Sequence, residues 1–275
     1  MQITQIRNAT VLLEFTSGGQ AVGLLVDPML ADAGALPSLR YLGGTRRRNP
    51  LVPLPAGAAP ALERATHALI THCQKGHFDH LDRAGRRFLR ERALPVACMP
   101  DDAGWLAARG LVTLPLSGPQ RQSFLGGHIT PIPCLHGRGW VGRLMAHGMG
   151  YLIEMPGEPS VYVAGDTVLT DPVRHCLSVL KPDLAILPAG GARFDLGGEI
   201  LMDAEELAAA VRDYGGQVLV NHLEALDHCP VSRAEVRERA AFLGARLWVP
   251  QDGETRRYEP AGAPQRAACA SRPQR

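Results

Sequence analysis

The stretch Ile70-Thr71-His72-Cys73-Gln74-Lys75-Gly76-His77-Phe78-Asp79-His80-Leu81-Asp82 decides how the rest of the chain is read. It holds three imidazoles, His72, His77 and His80, and two carboxylates, Asp79 and Asp82, in little more than one loop. Burying such groups without a counter-charge is costly. Imidazole nitrogen with carboxylate oxygen is the donor mixture that suits zinc and related divalent ions. The segment reads as the core of a metal site of hydrolytic type. It begins where the short apolar strand Thr66-His67-Ala68-Leu69-Ile70-Thr71 ends.

Three other places repeat that arrangement. His136 follows a strand over 129–134, Asp166 follows Val161-Tyr162-Val163-Ala164-Gly165, and His222 follows a strand over 217–220. Strand ends along one sheet edge can converge on a point, as a metal site requires. Around them, Ala9–Phe15 is a β-rich run, Ser17-Gly18-Gly19-Gln20 a hairpin turn, and Val22–Val26 a strand stopped at Asp27-Pro28. Residues 30–60 read as a long irregular loop. Helices are predicted over 83–92, from a cap at Asp101-Asp102 to Ala108, over 171–180, over 203–214 behind an Asp203 cap, and over 232–243 behind Ser232. Further strands are predicted at 94–98, 150–155, 160–164, 184–187 and 247–249. Hairpins first, then strands mixed with helices, suit an α/β (α+β) two-sheet sandwich with helices outside. We expect a single domain over 1–259 and a disordered Ala/Gln/Arg-rich tail over 260–275.

Composition narrows the function classes. A 275-residue chain that is 45% hydrophobic can bury a sizeable core. Its formal net charge of +2 favours neither nucleic acid nor an anionic membrane. No apolar run is long enough to span a bilayer, and Met1–Arg7 is a strand-like start rather than a signal peptide. Six scattered cysteines without a CxxC pair fit reduced thiols and a cytoplasmic location. Cys73 and Cys134 lie near candidate ligands, as soft ligands or as small packing residues. Arg46-Arg47-Arg48 reads as a solvated loop or as an anion-binding edge, and Ala189-Gly190-Gly191-Ala192-Arg193 as a glycine turn or an anion-binding loop. Ser123 and Ser232 lack the setting of a serine nucleophile, and neither a dinucleotide fingerprint nor a P-loop is present.

Taken in order, these residues resemble the metallo-β-lactamase superfamily. His77-Phe78-Asp79-His80-Leu81-Asp82 is similar to the second half of its HxHxDHxD motif, Gly165-Asp166-Thr167 to its bridging aspartate, and His136 and His222 to its later histidines. Asp27-Pro28 and the Gly-Asp-Thr context look most like the branch of ascorbate-6-phosphate lactonases and phospholipase-D-type phosphodiesterases. The resemblance, over roughly residues 3–256, implies a four-layer αββα sandwich of two mixed β-sheets flanked by helices. It also implies two divalent ions, zinc first and manganese second. His77, His136 and one further histidine would bind the first ion, Asp79, His80 and His222 the second, and Asp166 would bridge them. A metal-bound hydroxide would attack the substrate.

The pattern departs in one place. The family has a histidine two residues before His77, where this chain has Lys75. His72 follows Thr71 as the family's first histidine does, and its use requires three extra loop residues, with Gly76 tolerating φ > 0. If Lys75 held that place instead, its ammonium would repel a cation. The protein would then hold one metal or none.

The implied activity is metal-dependent hydrolysis of a small ester-type substrate, a phosphodiester or a lactone. Asp79 or His228 would handle the proton, with the orientation of His222 as the alternative role of His228. The competing readings are a non-catalytic metal or ligand sensor and a metal-dependent nuclease, the latter lacking a basic face. The expected partner is a small molecule; no nucleic acid is expected, and a homo-oligomer is compatible with the sequence.

Overall fold

The computed structural model describes residues 1–40, 46–74, 76–145, 147–195 and 198–259. Lys75, Cys269 and the tail expected over 260–275 lie outside the described residues. Two seven-stranded sheets face each other. The first comprises β1 (Gln2–Arg7), β2 (Thr10–Ser17), β3 (Gln20–Val26), β4 (His67–Leu69), β5 (Pro95–Cys98), β6 (Val112–Pro115) and the late strand β14 (Thr255–Arg257), in the order β14-β1-β2-β3-β4-β5-β6. The second comprises β7 (Gln122–Phe124), β8 (Gly127–Pro133), β9 (Met149–Glu154), β10 (Val161–Val163), β11 (Leu184–Pro188), β12 (Gln217–Asn221) and β13 (Leu247–Trp248), in the order β13-β12-β11-β10-β9-β8-β7.

Each sheet is antiparallel at one side and parallel at the other. Pairing turns parallel from β3 to β6 in the first sheet and from β10 to β13 in the second. The hairpin turn at Gly18-Gly19 has φ of 55° and 78°, the left-handed pair that a two-residue connection needs. It sets Ser17 opposite Gln20 and fixes the register of the β2–β3 ladder. That register decides the layers. Val11, Leu13 and Phe15 of β2 face the second sheet and meet Ile129, Tyr151, Ile153, Val163 and Ile186. Leu12 faces outward, with Ile6, Leu25 and Ile70, beneath α1 (Ala58–Glu63), α2 (Arg83–Glu91) and α3 (Pro100–Ala107). The outer face of the second sheet is covered by α5 (Asp171–His175), α6 (Ala204–Val211) and α7 (Arg233–Arg239), while α4 (Gly139–Met145) follows the β8 loop. This is the αββα sandwich that the sequence implied. A Leu13→Ala cavity between the sheets would cost about 2–5 kcal/mol.

Several details differ from the sequence reading. Met99, not Asp101-Asp102, is the N-cap of α3; Asp102 lies in the first turn and is buried, with its carboxylate engaged elsewhere. The helix predicted over 171–180 becomes α5 followed by a π turn, Cys176–Leu180, which closes at Lys181 with φ of 50°. The predicted 232–243 helix stops at Arg239 and tightens into a 3-10 turn, Ala241–Arg246. The irregular 30–60 segment contains a bridge between Leu36 and Asn49 and the start of α1.

Candidate metal centre

The strand pattern brings the chemistry to one rim. The loops after β3, β4, β10 and β12 start at the carboxyl ends of parallel strands, where open α/β sheets gather ligands. The loop after β8 joins them because β8 and β10 run the same way on either side of β9. The rim collects two groups of buried side chains: His72, His77 and His136, and Asp79, His80, Asp166 and His222. Within each group the candidate ligand atoms lie within 4.8 Å of one another. Both Asp27 (φ 45°) and His222 (φ 59°) take left-handed backbone at this rim, a conformation that costs a non-glycine residue about 1–2 kcal/mol.

In the first group, every imidazole is turned by a bond to its Nδ1. His136 Nδ1–H donates to the Ile200 carbonyl at 2.7 Å, and His77 Nδ1–H donates to the Gln74 carbonyl. The Thr71 hydroxyl gives its hydrogen to Asp27 Oδ2 at 2.6 Å, so its oxygen accepts from His72 Nδ1–H at 2.9 Å. The three rings lie 4.4–5.2 Å apart by centroid. Nε2 of His72 and of His77 is buried with no hydrogen-bond partner among the described residues. An unsatisfied buried group of this kind costs about 1–3 kcal/mol, and a cation accepting the lone pair removes that cost.

The second group is built on carboxylates. Asp166 Oδ2 lies 3.2 Å from His80 Nε2, 3.3 Å from His222 Nε2 and 3.7 Å from His136 Nε2, so it faces both groups. Its Oδ1 is buried and has no hydrogen-bond partner among the described residues. Asp79 Oδ2 lies 3.4 Å from His222 Nε2 and 3.6 Å from His80 Nε2. Behind His80 stands Asp27, which accepts from His80 Nδ1–H at 2.9 Å and from Thr71 N–H at 2.8 Å. A carboxylate behind a ligand histidine fixes its tautomer and orientation. His222 Nδ1 meets Cys229 Sγ at 3.6 Å.

The two groups have opposite electrostatics. Burial, reinforced by the neighbouring His80 and His77 rings, drives His72 well below the ordinary histidine pKa. Burial and His136 lower His77 to about 4, and burial outweighs Asp166 to lower His136 as well. Burial also opposes charge on His80 and His222, but there the carboxylates win: Asp166, Asp27 and Asp79 raise His80, and Asp166 heads the groups that raise His222. Burial likewise works against the Asp79 and Asp166 carboxylates and is overcome by His80 and His222, which hold both well below the usual carboxylate range. Neutral imidazole lone pairs and ionised carboxylates are the forms that divalent cations take.

A cavity of about 350 Å³ opens over these side chains, lined by Leu39, Phe78, Met145, Phe194 and Ile200 together with His77, Asp79, His136, Asp166 and His228. His228 stacks on Phe194 with 6.0 Å between ring centroids. Its Nδ1 is buried without a partner among the described residues, and burial lowers its pKa to about 4. Asp227 beside it accepts from Asn49 Nδ2 at 3.0 Å and from the Ser38 hydroxyl, which holds Ser38 and Asn49 next to the cavity wall that Pro37 and Leu39 supply. All eight residues singled out from sequence, His72, His77, Asp79, His80, His136, Asp166, His222 and His228, therefore reach this rim.

The sequence reading leaves Asp27 and Asp102 out of the candidate ligand arrangement. Asp27 carried a signal, a carboxylate at the end of an apolar strand, but its Pro28 neighbour reads as a simple strand stop. The Ala189–Arg193 loop is a glycine turn: the Ala189, Gly191 and Arg193 N–H groups all go to backbone carbonyls. Arg48 is likewise spent on the carbonyls of Gly34 and Ala35.

Comparison with known proteins agrees with this geometry. The family model described as the beta-lactamase superfamily domain matches residues 24–222. The chain is 29% identical over 259 residues to UPF0173 protein YddR of Bacillus subtilis, covering 93% of this chain and 99% of the relative. It is 31% identical over 219 residues to a UPF0173 metal-dependent hydrolase of Methylobacterium nodulans, covering 78% and 80%. Among solved structures, an isothiocyanate hydrolase from Delia radicum gut bacteria superposes with a TM-score of 0.82 at 29% identity, over 94% of this chain and all 100% of that one. A possible metal-dependent hydrolase from Veillonella parvula also gives 0.82, at 26% identity, over 93% and 98%. The chain belongs to the metallo-β-lactamase superfamily and, within it, to the UPF0173 metal-dependent hydrolases.

Proposed function

We propose that this hydrolase attacks the electrophilic carbon of a small, uncharged, largely apolar molecule, with a lactone as the first choice. His72, His77 and His136 would hold one divalent cation, Asp79, His80 and His222 a second, and Asp166 would serve both, with zinc first and manganese second. Bound there, such ions lower the pKa of water and polarise a substrate oxygen.

The cavity lining carries the choice of substrate. Its walls are Leu39, Phe78, Met145, Phe194 and Ile200, and no Lys or Arg lines it among the described residues. A phosphodiester, the other substrate class raised by the sequence, would bring a charge that these walls do not match. The likeness to an isothiocyanate hydrolase supports the same class, since an isothiocyanate is also a small electrophile attacked at carbon. A nucleic acid fits so small and apolar a cavity poorly.

Of the two residues expected to handle the proton, Asp79 is held ionised and has no proton to give. His228 is neutral at pH 7, with Nδ1 free. On this reading the water oxygen bonds to the carbonyl carbon as its proton passes to His228. The ring C–O bond then breaks and its oxygen takes that proton. The five described cysteines are free thiols, which fits a reducing, cytoplasmic setting. No described helix is long and apolar enough to cross a membrane.

The test is elemental analysis followed by turnover of an aliphatic δ-lactone, benzyl isothiocyanate and bis(p-nitrophenyl) phosphate. We expect the carbon electrophiles to exceed the phosphodiester by at least about ten-fold in kcat/KM, a difference of about 1.4 kcal/mol in transition-state binding. The reverse order would overturn the substrate class.

A further inference from the structure

The His72–His77 loop is the place where the chain departs from its family's spacing, and its conformation has an external support. The Gln74 carbonyl accepts twice from His77, from the backbone N–H at 3.2 Å and from Nδ1–H. The side chain of the same Gln74 points the other way. Its Nε2 donates to the Asp101 carbonyl at 2.8 Å and to Asp102 Oδ1 at 2.7 Å. Asp102 is 0% exposed, lies outside both ligand groups and does not line the cavity. His147 Nε2 approaches the same Oδ1 at 2.8 Å from the β9 side, and the Cys73 thiol also faces this carboxylate. A buried carboxylate carries a desolvation penalty of several kcal/mol unless donors converge on it. Here the donors come from the metal-binding loop and from residue 147, and α3 supplies the rigid base. Gly76, at φ 89°, then turns the chain sharply enough to bring His77 back beneath Gln74.

We propose that Gln74 and Asp102 form a clasp that positions His77: Asp102 anchors the Gln74 side chain, and the Gln74 carbonyl orients the His77 ring so that Nε2 faces His72 and His136. Both are positioning residues. The inference rests on the reading that His72, His77 and His136 hold a cation. It makes the lengthened loop a braced ligand arm.

The test uses the full chain, stripped with a chelator and titrated with Zn(II). Gln74→Met keeps the volume and removes both donors, while Asp102→Asn keeps the shape and removes the charge. The wild type should bind two ions. Each variant should keep one at wild-type affinity and bind the other about ten-fold to a hundred-fold more weakly, the range found when a group behind a metal ligand is lost. The stripped Gln74→Met variant should melt only slightly below the stripped wild type, because His147 still meets Asp102 Oδ1. Two ions at unchanged affinity in Gln74→Met would overturn the clasp. Equal weakening of both ions, with a lowered midpoint, would also overturn it, because that is general loss of packing. A single ion in the wild type would overturn the cation reading and the clasp with it. If Asp102→Asn folds poorly, Gln74→Met, at a half-exposed position, decides the question alone.

Discussion

The two halves of the candidate metal centre share one rim and almost no chemistry. The first half, His72, His77 and His136, is three neutral imidazoles whose Nδ1 atoms are tied to uncharged oxygens. The second half, Asp79, His80, Asp166 and His222, already contains its own counter-charges, with Asp27 standing behind it. Without a cation the first half is a set of orphaned lone pairs, and the second is a compensated ion cluster. A cation therefore removes unsatisfied groups in one half and displaces protons in the other.

The largest expected effect comes from removing what the halves have in common. Among the described carboxylates, Asp166 is the one within 4 Å of histidines of both groups, and His80 lies within 4 Å of Asp27, Asp79 and Asp166. Asp166→Ala and His80→Ala should each lower turnover by on the order of 10³-fold or more and reduce metal content, with the far-ultraviolet circular dichroism unchanged. Full turnover in both variants would dissolve the comparison altogether. A second break is narrower. His72→Ala removes one lone pair from the carboxylate-free half only, so zinc should fall from two per chain to one while the second half keeps its ion. Retention of two would show that the lengthened loop delivers its histidine elsewhere.

How much of this could be read in the sequence differs between the halves for a physical reason. The second half was legible because its candidate ligands are dense in the chain, with Asp79 and His80 adjacent, and because Gly165-Asp166-Thr167 and His222 each follow an apolar strand. The sandwich was legible for a related reason: the alternation in β2 and the Gly18-Gly19 turn fix which side chains face the second sheet. What escaped is what depends on contacts distant in sequence. Asp27 meets His80 across 53 positions because β3 and β4 pair in parallel, and nothing local to Asp27-Pro28 announces that. Asp102 satisfies the local rule for a helix cap, yet its carboxylate turns away from the helix to Gln74. Strands such as β6 were missed because they are mostly exposed and carry no periodic apolar signal.

The contrast also has a signature in acid and alkali. In metal-free protein, His72, His77 and His136 have folded pKa values below their unfolded value near 6.5. The unfolded chain then binds the proton first, so their stability is fully present above about pH 6.5 and is lost as pH falls toward the folded values. For His77, lowered to about 4, this alone removes about 3 kcal/mol by the bottom of that window. His80 and His222 have raised values, so their contribution is present below about 6.5 and is lost as pH rises toward the folded pKa. Thermal melts of chelator-treated protein should therefore peak near neutrality and fall on both sides. Zinc should flatten the profile, and a metal-free curve that rises steadily with pH would contradict the assignment of opposite charge states.

The smallest expected effect concerns the bonds behind the ligands. Behind the ring, His80 is held by a carboxylate and His136 by a carbonyl, but among the described residues the Nδ1 of His222 meets the Cys229 sulfur at 3.6 Å, a weak acceptor. His222 is instead fixed by its own left-handed backbone, φ 59°, and by close packing: a Cβ on Gly190 would come within 2.2 Å of the His222 carbonyl. If the backbone does the orienting, Cys229→Ala should leave two ions bound and weaken the second-half ion by less than about ten-fold, below the usual range for losing a group behind a metal ligand. Gly190→Ala should do more damage, because that contact is with backbone and nothing flexible can move aside. An ordering with Cys229→Ala as the more harmful change would mean that the sulfur orients the ring, and the two halves would then be supported in the same way.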